Sequence, residues 1–169
     1  MRQTKNKPTC LPGLDSGSHI IVRAKLKGIG PVPVSVTGHA YVRWLATQGE
    51  GPEAPWDHNK TEPGWLMSHR ELFHRRAPGN TGLDALRKMD GYAERARNNS
   101  KGCGGVMRVA PVGLFASHGL RRKELSASSV FQLGCDLAAL THGHPSGHLP
   151  AGVLALVVAH LVLGRSLGQ

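Results

Sequence analysis

Apolar residues fall into runs at helical spacing, separated by stretches rich in Gly, Pro and polar side chains. Tyr41, Trp44 and Leu45 recur three and four apart, and Thr37 stands where a capping residue would begin a helix over 37–47. Ser68 and Glu71 have capping-box spacing before Leu72 and Phe73; Thr81 and Asp84 repeat it. Leu83, Leu86 and Met89 then predict a helical face over 81–90, with Gly91 as its stop. Residues 107–117 read as helix with Pro111 in the first turn, where its missing N–H is not needed. Val130, Leu133, Leu137 and Leu140 share a face over 128–141, and Pro150 suits the start of a last helix over 150–164. No useful strand alternation and no internal repeat is present, so the fold class is all-α, a compact multi-helix domain.

The connections are less regular. Residues 1–26 carry no periodicity and read as a loop or disordered N-terminus, "KGIGPVPVSV" as a Pro/Gly linker, and residues 47–64 as a long polar loop. With 169 residues the chain suits one domain, and with aromatics at 5% its core must rest on Leu, Val and Ala.

Charge changes the picture modestly. A formal net charge of +10 favours anionic ligands, but Lys and Arg are dispersed, as at Arg121, Arg122 and Lys123. Without a basic tract or interleaved aromatics for stacking bases, a nucleic-acid partner is the least favoured class. Cys10, Cys103 and Cys135 are odd in number and far apart, which fits neither a disulfide framework nor a zinc site and points to a reducing cytoplasm. The basic N-terminus lacks the apolar stretch of a signal peptide. Residues 149–164 are apolar nearly all round but short for a span and interrupted by His160; a fully buried helix is expected, with no membrane partner.

The chemistry-bearing stretch is "NNSKGCGGVMRVAPVGLF", residues 98–115. Clustered glycines let backbone N–H groups converge on an anion, and a following helix start adds its positive end. Arg108 either adds charge or points to solvent. The stretch is neither a Walker loop nor a dinucleotide fingerprint, since no Gly-Lys-Ser/Thr follows and no strand precedes it. A tight structural corner is the competing reading. His142, His144 and His148 lie in "THGHPSGHL", whose Gly143, Pro145 and Gly147 read as a turn, not as one helical face for a metal. Cys103 beside Lys101 has the setting of an activated thiol but no identified base partner. Trp44, Trp56 and Trp65 read as packing anchors, His160 as a core histidine, and Arg75–Arg76 as a solvated or anion-attracting rim.

"NNSKGCGGVMRVAPVGLF", "LGCDLAALTHGHPSGHLPAG" and "RRAPGNTGLDAL", in that order-compatible spacing, resemble the ADP-ribosylglycohydrolase family, which includes the dinitrogenase reductase-activating glycohydrolases. The similarity runs from about Lys27 to about Leu167, so residues 27–169 are expected to form a partial domain of this kind. The resemblance implies an all-α fold and hydrolysis of the glycosidic bond between ADP-ribose and a protein or small-molecule acceptor. By match to the family's Ser-x-Gly-x-Gly-Gly loop, Ser100, Lys101, Gly102, Cys103, Gly104 and Gly105 would line the ligand, with His142 near the reacting ribose. It also implies two magnesium ions held by a Thr-Asp-Asp motif before this region and an Asp-[Ser/Thr]-Asp motif after it. Neither motif occurs among the 11 acids of this chain, and Asn99 stands where the family often has Asp. The chain is therefore expected to be an internal fragment, incomplete at both ends, with impaired catalysis; a diverged, non-catalytic ADP-ribose-binding or anion-binding domain is the alternative.

Overall fold

The computed structural model describes residues 33–51, 53, 65–75 and 77–168, and within them five α-helices and no strand. The helices are α1 (Pro33–Thr47), α2 (Asn80–Arg87), α3 (Ala110–Arg121), α4 (Ala127–Ala139) and α5 (Pro145–Val162). Single 3-10 turns occupy Trp65–Ser68, Arg70–Leu72 and Val106–Arg108. The all-α expectation holds. Residues 1–32, including Cys10, together with Trp56 and Arg76, lie outside the described residues.

The helix starts correct several expectations. The first helix begins four residues early: Thr37 is inside it, its Oγ1 donating to the Pro33 carbonyl at 2.9 Å. Proline itself provides the start, because its φ is already helical and its missing N–H is not required there. Thr81 caps nothing; Gly79 precedes α2, and Asp84 instead pairs with Lys88 one turn on, at 2.8 Å. That helix ends at Arg87, before Gly91. Ser68 closes its own 3-10 turn by donating to the Trp65 carbonyl at 2.6 Å, so no capping box with Glu71 forms. The last helix starts at Pro145, not Pro150. His144 Nδ1 accepts from the Ser146 N–H at 3.0 Å and caps it, and Pro150 sits inside, leaving the Ser146 carbonyl without its usual helical donor.

Two core clusters meet on α4. Val130 and Ala138 pack with Val109 just before α3, Ala116 of α3, and Ala151, Ala155 and Ala159 of α5. On its other side, Leu137 and Leu140 join Leu45 of α1, Leu83 and Leu86 of α2, and Met89 just after it. The predicted single face of α4 is thus two faces, because this helix is sandwiched. Its contact with α5 is made by small residues. A Cβ on Gly134 would lie 2.9 Å from both Ala155 Cβ and Gly152 Cα. The α3 backbone likewise comes within 2.5 Å of the Ala155 carbonyl measured from a Cβ on Gly113.

This close packing buries only one side of α5. Leu149, Val153, Leu161 and Val162 are about half exposed, which corrects the fully buried expectation. Among the described residues, α5 is the one helix long and apolar enough to cross a membrane, by length and composition only. Trp65, 45% exposed, is not a packing anchor, whereas Trp44 packs against the second cluster.

Two helix ends have the left-handed residue of a Schellman motif. Gly164 (φ 81°) ends α5, with the Arg165 N–H reaching the His160 carbonyl at 3.1 Å. Lys123 (φ 59°) does the same after α3, with Glu124 N–H to Gly119 O at 2.9 Å. A lysine here carries a Cβ penalty that glycine lacks. Lys123→Gly is expected to raise stability by about 0.5–1 kcal/mol, read as a higher melting temperature by circular dichroism. Gly134→Val is expected to cost roughly 2–3 kcal/mol, because the helices cannot part without losing the rest of the interface. An unchanged melt for Gly134→Val would remove the close-packing account.

Candidate functional site

The glycine stretch and the histidine stretch form one unit. Residues 98–105 lie in the angle between the end of α4 and the start of α5, backbone against backbone. A Cβ on Gly147 would be 2.5 Å from the Ser100 carbonyl, and one on Gly105 2.7 Å from the Gly147 carbonyl and 2.9 Å from Ala138 Cβ. A Cβ on Gly143 would collide with the carbonyls of Ala96 and Asn98. Both loops therefore need glycine for the same reason, the absence of room for a side chain.

Asn98 holds the two loops together. Its Oδ1 accepts from the Ser100 N–H at 3.1 Å and from the Gly143 N–H at 3.0 Å, and its Nδ2 donates to the Thr141 carbonyl at 3.0 Å. The first of these is an Asx turn, the pattern by which Asn engages the backbone two residues on. The Ala96 N–H adds a bond to the Ala139 carbonyl at 2.8 Å. Sequence reasoning singled out Asn99, which is exposed, and passed over Asn98. An asparagine two residues before a serine in a glycine-rich loop was the available signal.

Arg108 is neither at large in solvent nor aimed at a ligand. Its Nε donates to the Gly104 carbonyl at 2.8 Å, its guanidinium hydrogen-bonds Thr141 Oγ1, and the same group lies 5.0 Å over the Tyr41 ring. It ties the glycine loop to the turn after α4 and to α1 at once.

His142 is the buried histidine of the site, 3% exposed. Its Nδ1 and Thr141 Oγ1 are 2.9 Å apart. Its Nε2 faces the loop: Cβ atoms on Gly104 and Gly102 would lie 3.0 and 3.6 Å from it. Among the described residues Nε2 has no hydrogen-bond partner, and it is not sealed from solvent. Burial first, and the Arg108 guanidinium second, hold the His142 pKa below the ordinary 6.5. A neutral ring with one open nitrogen offers a single donor or acceptor, and a sugar hydroxyl can answer either. His148, also 3% exposed, packs behind it, its Nδ1 at 3.2 Å from the His142 carbonyl and its ring bonded to Arg95.

The structure thus brings Gly102, Gly104, Gly105 and His142 together. Ser100 joins them through its backbone and through Oγ, which accepts from the Gly102 N–H at 3.4 Å. Lys101 and Cys103 are exposed on the loop's outer side, Cys103 with its Sγ 3.7 Å from Met107 Sδ. None of the three loop glycines has a positive φ, so the loop is not a left-handed anion cradle. The amides of Lys101, Cys103 and Gly104 have no protein acceptor among the described residues, which leaves them open to a ligand. His144 caps α5 and does not join His142 and His148.

Metal binding is not built from what is described. Among the described residues no three His, Cys, Asp or Glu side chains come together. The acids are engaged elsewhere: Glu50 with Arg75 at 3.0 Å and Arg87 at 3.2 Å, Glu124 with Arg122 at 2.6 Å, and Asp136 with Gln132 at 2.8 Å. Magnesium requires several oxygen ligands in near-octahedral order, and these residues do not fit it.

Residues 18–169 match the family described as ADP-ribosylglycohydrolase, which is most of the chain. No solved structure matches the chain significantly.

Two outcomes test this geometry. Asn98→Ala removes three hydrogen bonds and is expected to cost about 2–3 kcal/mol, at about 1 kcal/mol each, whereas Asn99→Ala stays within about 0.5 kcal/mol. Equal effects in denaturant titrations would contradict the staple. The second concerns pH. Because the folded-state pKa of His142 lies below 6.5, the unfolded chain takes up the proton first. Its stabilising share is complete above pH 6.5 and is lost as pH falls through the lowered folded value. His39, lowered by burial and then by Arg43, acts in the same direction. Melting temperatures from about pH 7.5 to 5.5 should therefore fall, and less steeply in His142→Gln.

Proposed function

Because the chain belongs to the ADP-ribosylglycohydrolase family, we propose that it acts on ADP-ribose carried by a protein or small-molecule acceptor, with the ADP-ribosyl group held on residues 100–105 against His142. The observation that carries this reading is the open Nε2 of the buried His142, facing a loop whose glycines leave no side chain between them. A ribose hydroxyl can pair with that nitrogen. Free amides at Lys101, Cys103 and Gly104 can meet phosphate oxygens, and Lys101 adds a mobile positive charge at the loop's outer side.

The family is generally metal-dependent, and a bound metal would orient the sugar and activate water. The described residues of this chain do not supply its ligands, so their own contribution is binding and orientation. We assign these 169 residues the capacity to hold ADP-ribose without cleaving the glycosidic bond. The family-level hydrolase activity requires carboxylates that the described residues do not bring together. A non-catalytic ADP-ribose-binding domain is the same geometry with that chemistry lost. Cys103 and Cys135, both free thiols, fit a reducing cytoplasm.

Gly104→Val places a branched side chain where a Cβ already comes within 2.9 Å of the His142 ring. The imidazole must swing away, so ADP-ribose affinity should drop at least about tenfold with a smaller change in melting. Binding equal to that of the parent would reduce the loop to a structural corner. ADP-ribose release from a modified protein by the 169-residue chain is expected to be undetectable with or without magnesium. Chelator-sensitive turnover would show that acids of this chain converge after all.

A further inference from the structure

Thr141 follows α4 and is fully buried, and its hydroxyl stands among three polar groups. The Arg108 guanidinium donates to Oγ1. His142 Nδ1 lies 2.9 Å from the same oxygen, and the Ala138 carbonyl 3.4 Å. A hydroxyl has one proton to give and two lone pairs to fill. A guanidinium is a donor only, so one lone pair belongs to Arg108. The proton then goes either to His142 Nδ1 or to Ala138.

Two observations direct it to the histidine. The Ala138 carbonyl already accepts the N–H groups of Thr141 and His142 at 3.1 and 3.0 Å, which occupies both of its lone pairs. Its 3.4 Å from the hydroxyl is also long for an O–H donor, whereas 2.9 Å to Nδ1 is an ordinary bond. In the opposite arrangement Nδ1 would carry the ring proton and donate to Oγ1. The hydroxyl proton would then be left in the core against a filled carbonyl, with the desolvation cost of an unmade bond. With the hydroxyl donating to Nδ1, the ring proton sits on Nε2, the nitrogen that faces the loop and is not sealed from solvent.

We propose that Thr141, oriented by Arg108, is a positioning residue that fixes His142 as the tautomer protonated on Nε2, so that the site offers its ligand a hydrogen-bond donor at that nitrogen. Nε2–H then joins the open amides of Lys101, Cys103 and Gly104, which are donors too. Donors gathered in one place select a ligand that meets them with oxygen lone pairs, such as the hydroxyl, ring and phosphate oxygens of a phosphorylated sugar. They disfavour ligands that present protonated amines or guanidiniums. This consequence for the ligand rests on the function proposed above; the tautomer itself does not.

Long-range proton–nitrogen NMR of the 169-residue chain with isotope-labelled histidine reads the tautomer. At about pH 7.5 the lowered pKa keeps the ring neutral. The His142 signals are assigned by their loss in His142→Gln. The free parent chain is expected to show His142 protonated at Nε2 and bare at Nδ1. Thr141→Val keeps the shape and removes the hydroxyl. It is expected to give a mixture of the two tautomers and, in calorimetric titration, to weaken ADP-ribose at least about tenfold; Thr141→Ser is expected to restore both. A proton on Nδ1 in the free parent would overturn the assignment, whether or not Thr141→Val folds. So would a folded Thr141→Val with the tautomer of the parent, because a loss of affinity without a change of tautomer is a structural effect. A tautomer shift in Thr141→Val without ADP-ribose binding by the parent, or without a change in affinity, would support the role of Thr141 and count against the glycine-loop function.

Discussion

Two loops lying backbone to backbone, with one asparagine bonded to both, set the form of this site. Residues 98–105 and 141–147 approach so closely that Gly105, Gly143 and Gly147 have no room for a Cβ. Buried peptide groups in such an arrangement need partners, and residues 98–105 and 141–144 lie outside the α-helices that would supply them. Asn98 answers from its side chain, satisfying two amides and one carbonyl drawn from both loops. The consequence reaches His142, whose ring is pressed against the same loop with one nitrogen bonded to Thr141 and the other open. The proposed binding surface of open amides and an open imidazole nitrogen needs this rigidity, because it has no side chains of its own to adapt.

The helices hold that angle by the same means, close approach of small residues. Gly134, Gly152 and Ala155 let α4 and α5 run nearly in contact, so that the end of one and the start of the other form the crotch that receives the loop. Arg108 adds the third direction, linking the loop to α1 through the Tyr41 ring. The packing leaves the outer side of α5 apolar and uncovered at Leu149, Val153, Leu161 and Val162.

The helical class was legible because Leu83, Leu86 and Met89, and likewise Leu137 and Leu140, recur at helical spacing and are all in the core. Helix starts were less so. Thr37, Thr81 and Ser68 have capping chemistry, but Pro33 is the first residue of α1 and Gly79 precedes α2. The reading of Pro150 as a start failed because Pro145 and the His144 cap lie in a stretch whose glycines look like a turn. Of those glycines Gly147 is helical in α5 and lies against the Ser100 carbonyl, while Gly143 stays in the turn before it. At the site, the glycine loop stood out by its clustered glycines and His142 through family resemblance, while their meeting was not visible, since 37 intervening residues separate Gly104 from His142 and only the fold closes that distance. Arg108 looked like a free charge because its partners, Gly104, Thr141 and Tyr41, come from three separate parts of the chain. Asn98 carried a local signal, its spacing to Ser100, but the sequence reading took Asn99 instead.

Amide hydrogen exchange read by mass spectrometry tests the proposal that both loops act as one ADP-ribose-binding unit. Peptides covering 98–105 and 141–148 should slow together when ADP-ribose is added to the 169-residue chain, since the ligand contacts one loop and Asn98 transmits the constraint to the other. Protection confined to one of the two peptides, or ADP-ribose binding that leaves both unchanged, would contradict it.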